Sequence, residues 1–238
     1  MRLLVTRPQE DVAALSEKLV AGGHEVVSAP LLSIQLCPQV PMDRSRVQGL
    51  LATSANGVRA MARRDDFDAW RTVPLLAVGL STAREAQALG FETVFTAGGD
   101  VVSLEQLVTE KCEPDGGPLV HLAGSVVAGD LKGRLEEHGF WVERVVLYEA
   151  VPAQTFPENI IEDLTSDKPV EGVLLFSRRT AETFARCCEA ADLTGAVSHI
   201  TAYCLAASAA QPLEGLGLKE MRVASCPSED ALLSLLIS

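Results

Sequence analysis

Short apolar runs alternate with stretches of helical periodicity from one end of this chain to the other. No other feature limits the fold so tightly. Strands are expected at Arg2–Thr6, His24–Ser28, Gly49–Thr53, Leu75–Val78, Thr93–Phe95, Leu119–Leu122, Trp141–Tyr148, Gly172–Phe176, His199–Cys204 and Arg222–Ala224. Helices are expected at Asp11–Ala21, Ala55–Arg64, Thr82–Leu89, Ser103–Lys111, Gly129–His138, Thr180–Ala191, Ala206–Leu216 and Glu229–Leu236. A strand that is followed by a helix, over and over, predicts an α/β fold with parallel sheets flanked by helices. In the first helix Val12, Leu15 and Leu19 recur near a 3.6-residue period and make one apolar face for a sheet. Gly22, Gly90, Gly139 and Gly217 stand where left-handed caps end helices.

The pattern also occurs twice. LLATSANGVRAM (50–61) matches LLFSRRTAETF (174–184), with Ser54 on Ser177. LAVGLSTAREAQALG (76–90) matches TAYCLAASAAQPLEG (201–215), with Ala77 on Ala202. LLVTRPQEDVAALSEKLVAGGHEVV (3–27) shares a strand–helix–Gly–strand outline with LVHLAGSVVAGDLKGRLEEHGFWVE (119–143), and VFTAGGDVVSLEQLV (94–108) matches RVASCPSEDALLSLL (222–236). Four matched pairs mean two copies of one α/β unit. The length of 238 residues agrees, since a domain takes roughly 100–200. Between the copies lie two extended apolar stretches that each end in proline, APLLSIQLCPQ (29–39) and VVLYEAVPA (145–153). They read as paired linker strands between two domains, with a cleft between the domains as the expected ligand site.

Charge and composition exclude several functions. The net charge of −12 argues against nucleic acid or an anionic membrane as partner. It leaves room for a small anionic ligand held by backbone N–H groups. No apolar run reaches the roughly 18 residues of a membrane span. The start, MRLLVTRPQE, lacks the apolar core of a signal peptide, so a cytoplasmic protein is expected. Six cysteines (37, 112, 187, 188, 204 and 226) form no CxxC pair and read as free thiols. The four histidines are scattered, and no metal site is expected.

Three motifs fail on inspection. GSVVAG (124–129) has the glycine spacing of a phosphate loop, but Asp130 and Leu131 stand where lysine and a hydroxyl residue belong. GLSTA (79–83) has one glycine and makes no dinucleotide turn. No GxSxG elbow surrounds Ser54 or Ser177. What remains is a set of strand ends that open into helices through small polar residues: Thr6-Arg7-Pro8, Thr53-Ser54-Ala55-Asn56-Gly57, Gly79-Leu80-Ser81-Thr82, Gly124-Ser125 and Ser177-Arg178-Arg179-Thr180. Each is a candidate helix cap. Each also lies at the carboxyl end of a parallel strand, where α/β folds bind ligands and helix dipoles favour anions.

Together these segments resemble the uroporphyrinogen-III synthase family over almost the whole chain. The carriers are LLVTRP, APLLSI, TSANGVRA, AVGLSTAREAQALGF, the WVERVVLYEAVP strand, LLFSRRTAETF and VASCPSEDALLSLL. The resemblance implies a monomer of two α/β domains joined by a two-stranded β linker. It assigns residues 1–35 plus 153–238 to a discontinuous domain one, 38–147 to domain two, and 34–39 and 148–152 to the linker strands. It implies a lyase that closes the linear tetrapyrrole hydroxymethylbilane with loss of water and inversion of ring D, without metal or organic cofactor. A transient contact with the preceding pathway enzyme is a further expectation. By match to the family's motifs, Tyr148 is the catalytic candidate, as the group that assists departure of the hydroxyl. Thr53, Ser54, Asn56, Gly57, Ser81, Thr82, Gly124, Ser125, Ser177, Arg178 and Arg7 are the substrate-binding candidates. One departure is the stretch CLAASAA, where Ala206 and Ala207 replace hydroxyl residues often found in the family. The competing expectation is a cofactor-free, two-domain small-molecule binding or sensor protein, since duplicated α/β chains of that kind share the same pattern.

Overall fold

The computed structural model describes residues 1–127 and 129–237. Ala128 of the GSVVAG stretch and Ser238, the last residue of the expected domain one, lie outside the described residues. In chain order the elements are β1 (Arg2–Val5), α1 (Gln9–Ala21), β2 (Glu25–Ser28), β3 (Leu32–Leu36), β4 (Gly49–Ala52), α2 (Ala55–Ala62), α3 (Phe67–Trp70), β5 (Leu75–Ala77), α4 (Leu80–Ala88), β6 (Val94–Thr96), α5 (Val101–Lys111), β7 (Leu119–Gly124), α6 (Leu131–Glu137) and β8 (Val142–Pro152). There follow α7 (Glu158–Thr165), β9 (Gly172–Leu175), α8 (Arg178–Ala190), β10 (Thr201–Cys204), α9 (Ala207–Ala210), β11 (Glu220–Val223) and α10 (Glu229–Ser234). The chain divides into two compact units, Met1–Ser33 with Val151–Ser238 and Ile34–Ala150. Both boundaries fall inside strands, β3 and β8, which are hydrogen-bonded neighbours.

The first unit holds a sheet of order β11-β10-β9-β1-β2, in which every pairing is parallel. The second unit's sheet has order β3-β8-β7-β4-β5-β6. Read from its other edge, β6-β5-β4-β7-β8 repeats the first order strand for strand, and these pairings too are parallel. The four sequence matches land on equivalent strands. Registers agree as well: Val5 stands opposite Leu174, as His121 stands opposite Leu51.

Each sheet is buried on both faces because consecutive strand residues point to opposite sides. In the first unit Leu3, Val5 and Leu174 pack with Val12, Leu15 and Leu19 of α1. Leu4, Val173 and Leu175 pack on the other face with Ile160, Phe184 and Cys188. In the second unit Leu50, Val120 and Leu122 meet Val58, Met61 and Trp70, while Leu51, Leu76 and Leu119 meet Leu104, Val108 and Leu135. Each fully buried leucine contributes on the order of 1.5–3 kcal/mol.

Several expectations need correction. Gly22 has an ordinary φ of −79° and the left-handed turn falls on Gly23, at φ 77°. Two consecutive glycines left that choice open locally. The expected helix 206–216 is only α9 followed by a 3-10 turn at Gln211–Leu213, because Pro212 cannot continue the α-helical hydrogen bonding. The expected strand 141–148 and linker strand 148–152 form one strand, β8. Of the other stretch expected as a linker strand, 34–39, the part up to Leu36 is strand and belongs to β3. Helices α3 and α7 were not expected. α7 starts after Pro157, whose fixed φ suits a helix entry, and buries Ile160 and Leu164.

Candidate functional site

In the second unit the carboxyl ends of β4 and β7 and the middle of β8 surround a pocket of about 540 Å³. β4 is buried throughout and is followed by Thr53 and Ser54, both on the pocket wall. Ser54 is the N-cap of α2, and its hydroxyl accepts the Asn56 N–H at 3.2 Å. Gly57 lies one turn in and is buried. A Cβ there would come within 2.4 Å of the Leu122 carbonyl oxygen, so glycine alone lets α2 lie this close to β7. The turn is thus fixed from both ends, by a cap and by a close backbone approach.

Tyr148 reaches the same pocket from β8 and is 9% exposed. Its ring lies on Gly124, where a Cβ would stand 2.8 Å from Cζ and 3.1 Å from the hydroxyl oxygen. The register between β7 and β8 shifts at Ala123/Gly124, which brings Tyr148 opposite Gly124. The Ser125 N–H donates to the Tyr148 carbonyl at 2.9 Å. Arg144 donates through Nη2 to the carbonyls of Gly124 and Ser125, each at 2.8 Å, and pins the exit of β7. Among the described residues the Tyr148 hydroxyl has no hydrogen-bond partner.

Two residues that sequence reasoning missed also bear on the site, one behind the wall and one on it. His121 of β7 is buried, and its Nε2 lies 3.1 Å from Thr53 Oγ1. Burial, and then the nearby Arg144 charge, bring the imidazole pKa down to about 4, so it is neutral at physiological pH. Asp100 lines the pocket and caps α5, with its carboxylate accepting the Ser103 N–H at 2.7 Å. That backbone hydrogen bond holds its pKa below the usual carboxylate range, so it carries a negative charge. The sequence signals were present: one histidine inside an apolar strand, and an aspartate directly before a helical run.

The remaining candidates lie elsewhere. Asn56 uses its side-chain oxygen to accept from Arg59 at 3.1 Å. Ser81 is exposed on α4, and Thr82 turns inward and is buried. Gly79 gives α4 no side-chain cap. Ser177, Arg178 and Arg7 belong to the first unit. Ser177 caps α8, accepting the Thr180 N–H at 3.1 Å. Arg178 pairs with Glu182 at 2.8 Å. Arg7 stacks on Phe176, 3.9 Å from the ring centre, and bonds Glu229 at 2.9 Å. The pocket therefore gathers Thr53, Ser54, Gly124 and Tyr148 out of the full set. Among the described residues no three metal-ligating side chains cluster, and no helix is long and apolar enough to cross a membrane.

The family model described as uroporphyrinogen-III synthase HemD matches residues 13–234. No curated protein matches the sequence. Among solved structures, the fold is similar to that of uroporphyrinogen-III synthetase from Helicobacter pylori, at 19% identity and a TM-score of 0.67, with 100% of this chain and 99% of that one covered. It is also similar to a mutant uroporphyrinogen III synthase from the extremely thermophilic bacterium Thermus thermophilus, at 20% identity and a TM-score of 0.54, covering 99% and 96% of the two chains.

Proposed function

The chain belongs to the uroporphyrinogen-III synthase family, and from that premise we propose that the pocket of the second unit is where hydroxymethylbilane reacts. The activity is that of a lyase in haem biosynthesis, acting on hydroxymethylbilane. The observation that supports this pocket is the meeting of Thr53 and Ser54 with Gly124 and Tyr148 on its lining.

The substrate carries its own electron supply. The pyrrole nitrogen lone pair expels the hydroxyl of the hydroxymethyl group, and the Tyr148 phenol supplies a proton to it, so that water leaves. The carbon left behind is a cationic azafulvene. The substituted α-carbon of ring D attacks it to give a spiro intermediate. Cleavage and reclosure of the second bond invert the ring. The proton released when the last pyrrole regains aromaticity matches the one that Tyr148 gave up. The protein's main task is positioning, which can supply on the order of 7–11 kcal/mol where geometry is well fixed. Thr53 and Ser54 hydroxyls and backbone N–H groups at helix starts hold carboxylate arms. Asp100 keeps a negative charge at the same wall, which suits the pyrrole N–H face and the cationic intermediate better than a carboxylate.

We further propose a monomeric, cytoplasmic enzyme. The buried thiols Cys187, Cys188 and Cys204 suit a reducing compartment. A contact with the preceding pathway enzyme remains part of the proposal, with sedimentation of the mixture as its measurement. The activity is tested by feeding hydroxymethylbilane, oxidising the product and separating isomers. Uroporphyrin III is expected, and uroporphyrin I alone would overturn the assignment.

A further inference from the structure

Thr53 and His121 form a polar pair that the fold does not require. β7 is buried along its whole length, and His121 is 3% exposed within it. A buried imidazole is costly unless its nitrogens find partners. The duplicated unit shows what the scaffold accepts at the same two places. Val5 stands opposite Leu174 as His121 stands opposite Leu51, so Val5 is the equivalent of His121. Ser177 caps α8 as Ser54 caps α2, so Phe176 is the equivalent of Thr53. Phe176 packs against the cluster that holds Val5. One copy of the unit thus carries an apolar pair, and the other carries a hydrogen-bonded pair whose threonine lines the pocket beside Tyr148.

We propose that His121 is a positioning residue for the cyclisation, which fixes the Thr53 hydroxyl on the pocket wall from beneath. This rests on the reading of the pocket as the substrate site. Thr53 carries a γ-methyl and a hydroxyl on one Cβ, and a χ1 rotation exchanges them. The Nε2 contact selects the rotamer that keeps Oγ1 at the imidazole and leaves its second hydrogen-bonding direction for substrate. A neutral imidazole does this without adding a charge, so the hydroxyl serves a carboxylate or a pyrrole N–H without competition from an ion pair. His121 itself does not line the pocket, and its effect passes through Thr53.

The test uses the full chain with T53V, H121V, H121Q, H121N and the double variant T53V/H121V. H121V carries the residue that the first unit tolerates at this position. Expected for H121V and T53V alike is a five- to twentyfold rise in KM for hydroxymethylbilane, with a smaller change in kcat. The double variant is expected to match the singles rather than multiply them, because both remove one contact. H121Q places an amide where Nε2 stands and is expected within about threefold of the parent, whereas H121N places it at Nδ1 and does not restore KM. T53V defective with H121V unchanged overturns the role of His121 and leaves the pocket reading intact. T53V without effect overturns the pocket reading and this proposal together. Multiplicative defects in the double variant also overturn it. Should H121V fail to fold, equal KM values for H121Q and H121N do the same.

Discussion

The two units share strand order, registers and caps, and they differ at the carboxyl edges of their sheets. In the second unit that edge holds Thr53, Gly124 and Tyr148 around a pocket. In the first unit the equivalent edge satisfies itself: Arg7 lies on Phe176 and pairs with Glu229, which also takes Lys18. The strands beside the edge differ too. β2 stops at Ser28, just before Ala29-Pro30, whereas its equivalent β8 runs on from Val142 to Pro152. Tyr148 exists as a pocket residue because β8 overruns where β2 ends. Duplication supplied two scaffolds, and chemistry belongs where the copies diverge.

Tyr148→Phe tests that divergence most severely. It keeps the ring that packs on Gly124 and removes only the hydroxyl. A loss in kcat of about 100-fold or more is expected, the usual size for a general acid, with the thermal midpoint retained. An unchanged rate would return Tyr148 to packing.

Acid stability separates the units next. The His121 pKa is about 4 in the folded chain against an ordinary 6.5. The unfolded chain therefore binds more protons between those values, and stability falls as pH drops from about 6.5 to about 4 and is level below. The loss from this one group is roughly 3 kcal/mol at most. H121V should lack that component, as measured by denaturant titrations at pH 7 and pH 4.5. An identical acid loss in parent and H121V would mean that His121 is not held neutral by burial and Arg144.

Gly124→Ala should be milder. The new methyl would meet the Tyr148 ring at 2.8 Å, and the ring must move. About a tenfold fall in kcat is expected. Full activity would show that the ring position is not critical.

Much of this was legible from the sequence because it is local. Apolar periodicity gave the strands and α1, and Ser54 and Ser177 announced their caps because a cap is decided within three residues. The four sequence matches found the pseudo-repeat. The pairing of Thr53 with His121 was not legible, since it joins residues 68 apart through a sheet register that no local pattern encodes. Asp100 hid for the opposite reason: an aspartate before a helical run has the ordinary role of a cap, and only the fold puts it on the pocket wall. Arg7 and Arg178 suggested anion binding, yet their carboxylate partners, Glu229 and Glu182, emerge only in three dimensions.

The smallest effect asks the finest question, whether the two serine caps are still equivalent. Ser54 and Ser177 have nearly the same backbone, φ −157° and −154°, and each accepts a first-turn N–H. Alanine at either should cost about 1 kcal/mol of stability. Ser54 alone lines the pocket, so S54A should also raise KM two- to fivefold, while its backbone N–H groups preserve most binding. S177A should match it in stability and move KM less. Equal shifts in KM would extend substrate binding to the first unit's turn. Complete loss in S54A would make its hydroxyl a participant in the chemistry, since removing a cap and one of several hydrogen bonds does not abolish turnover.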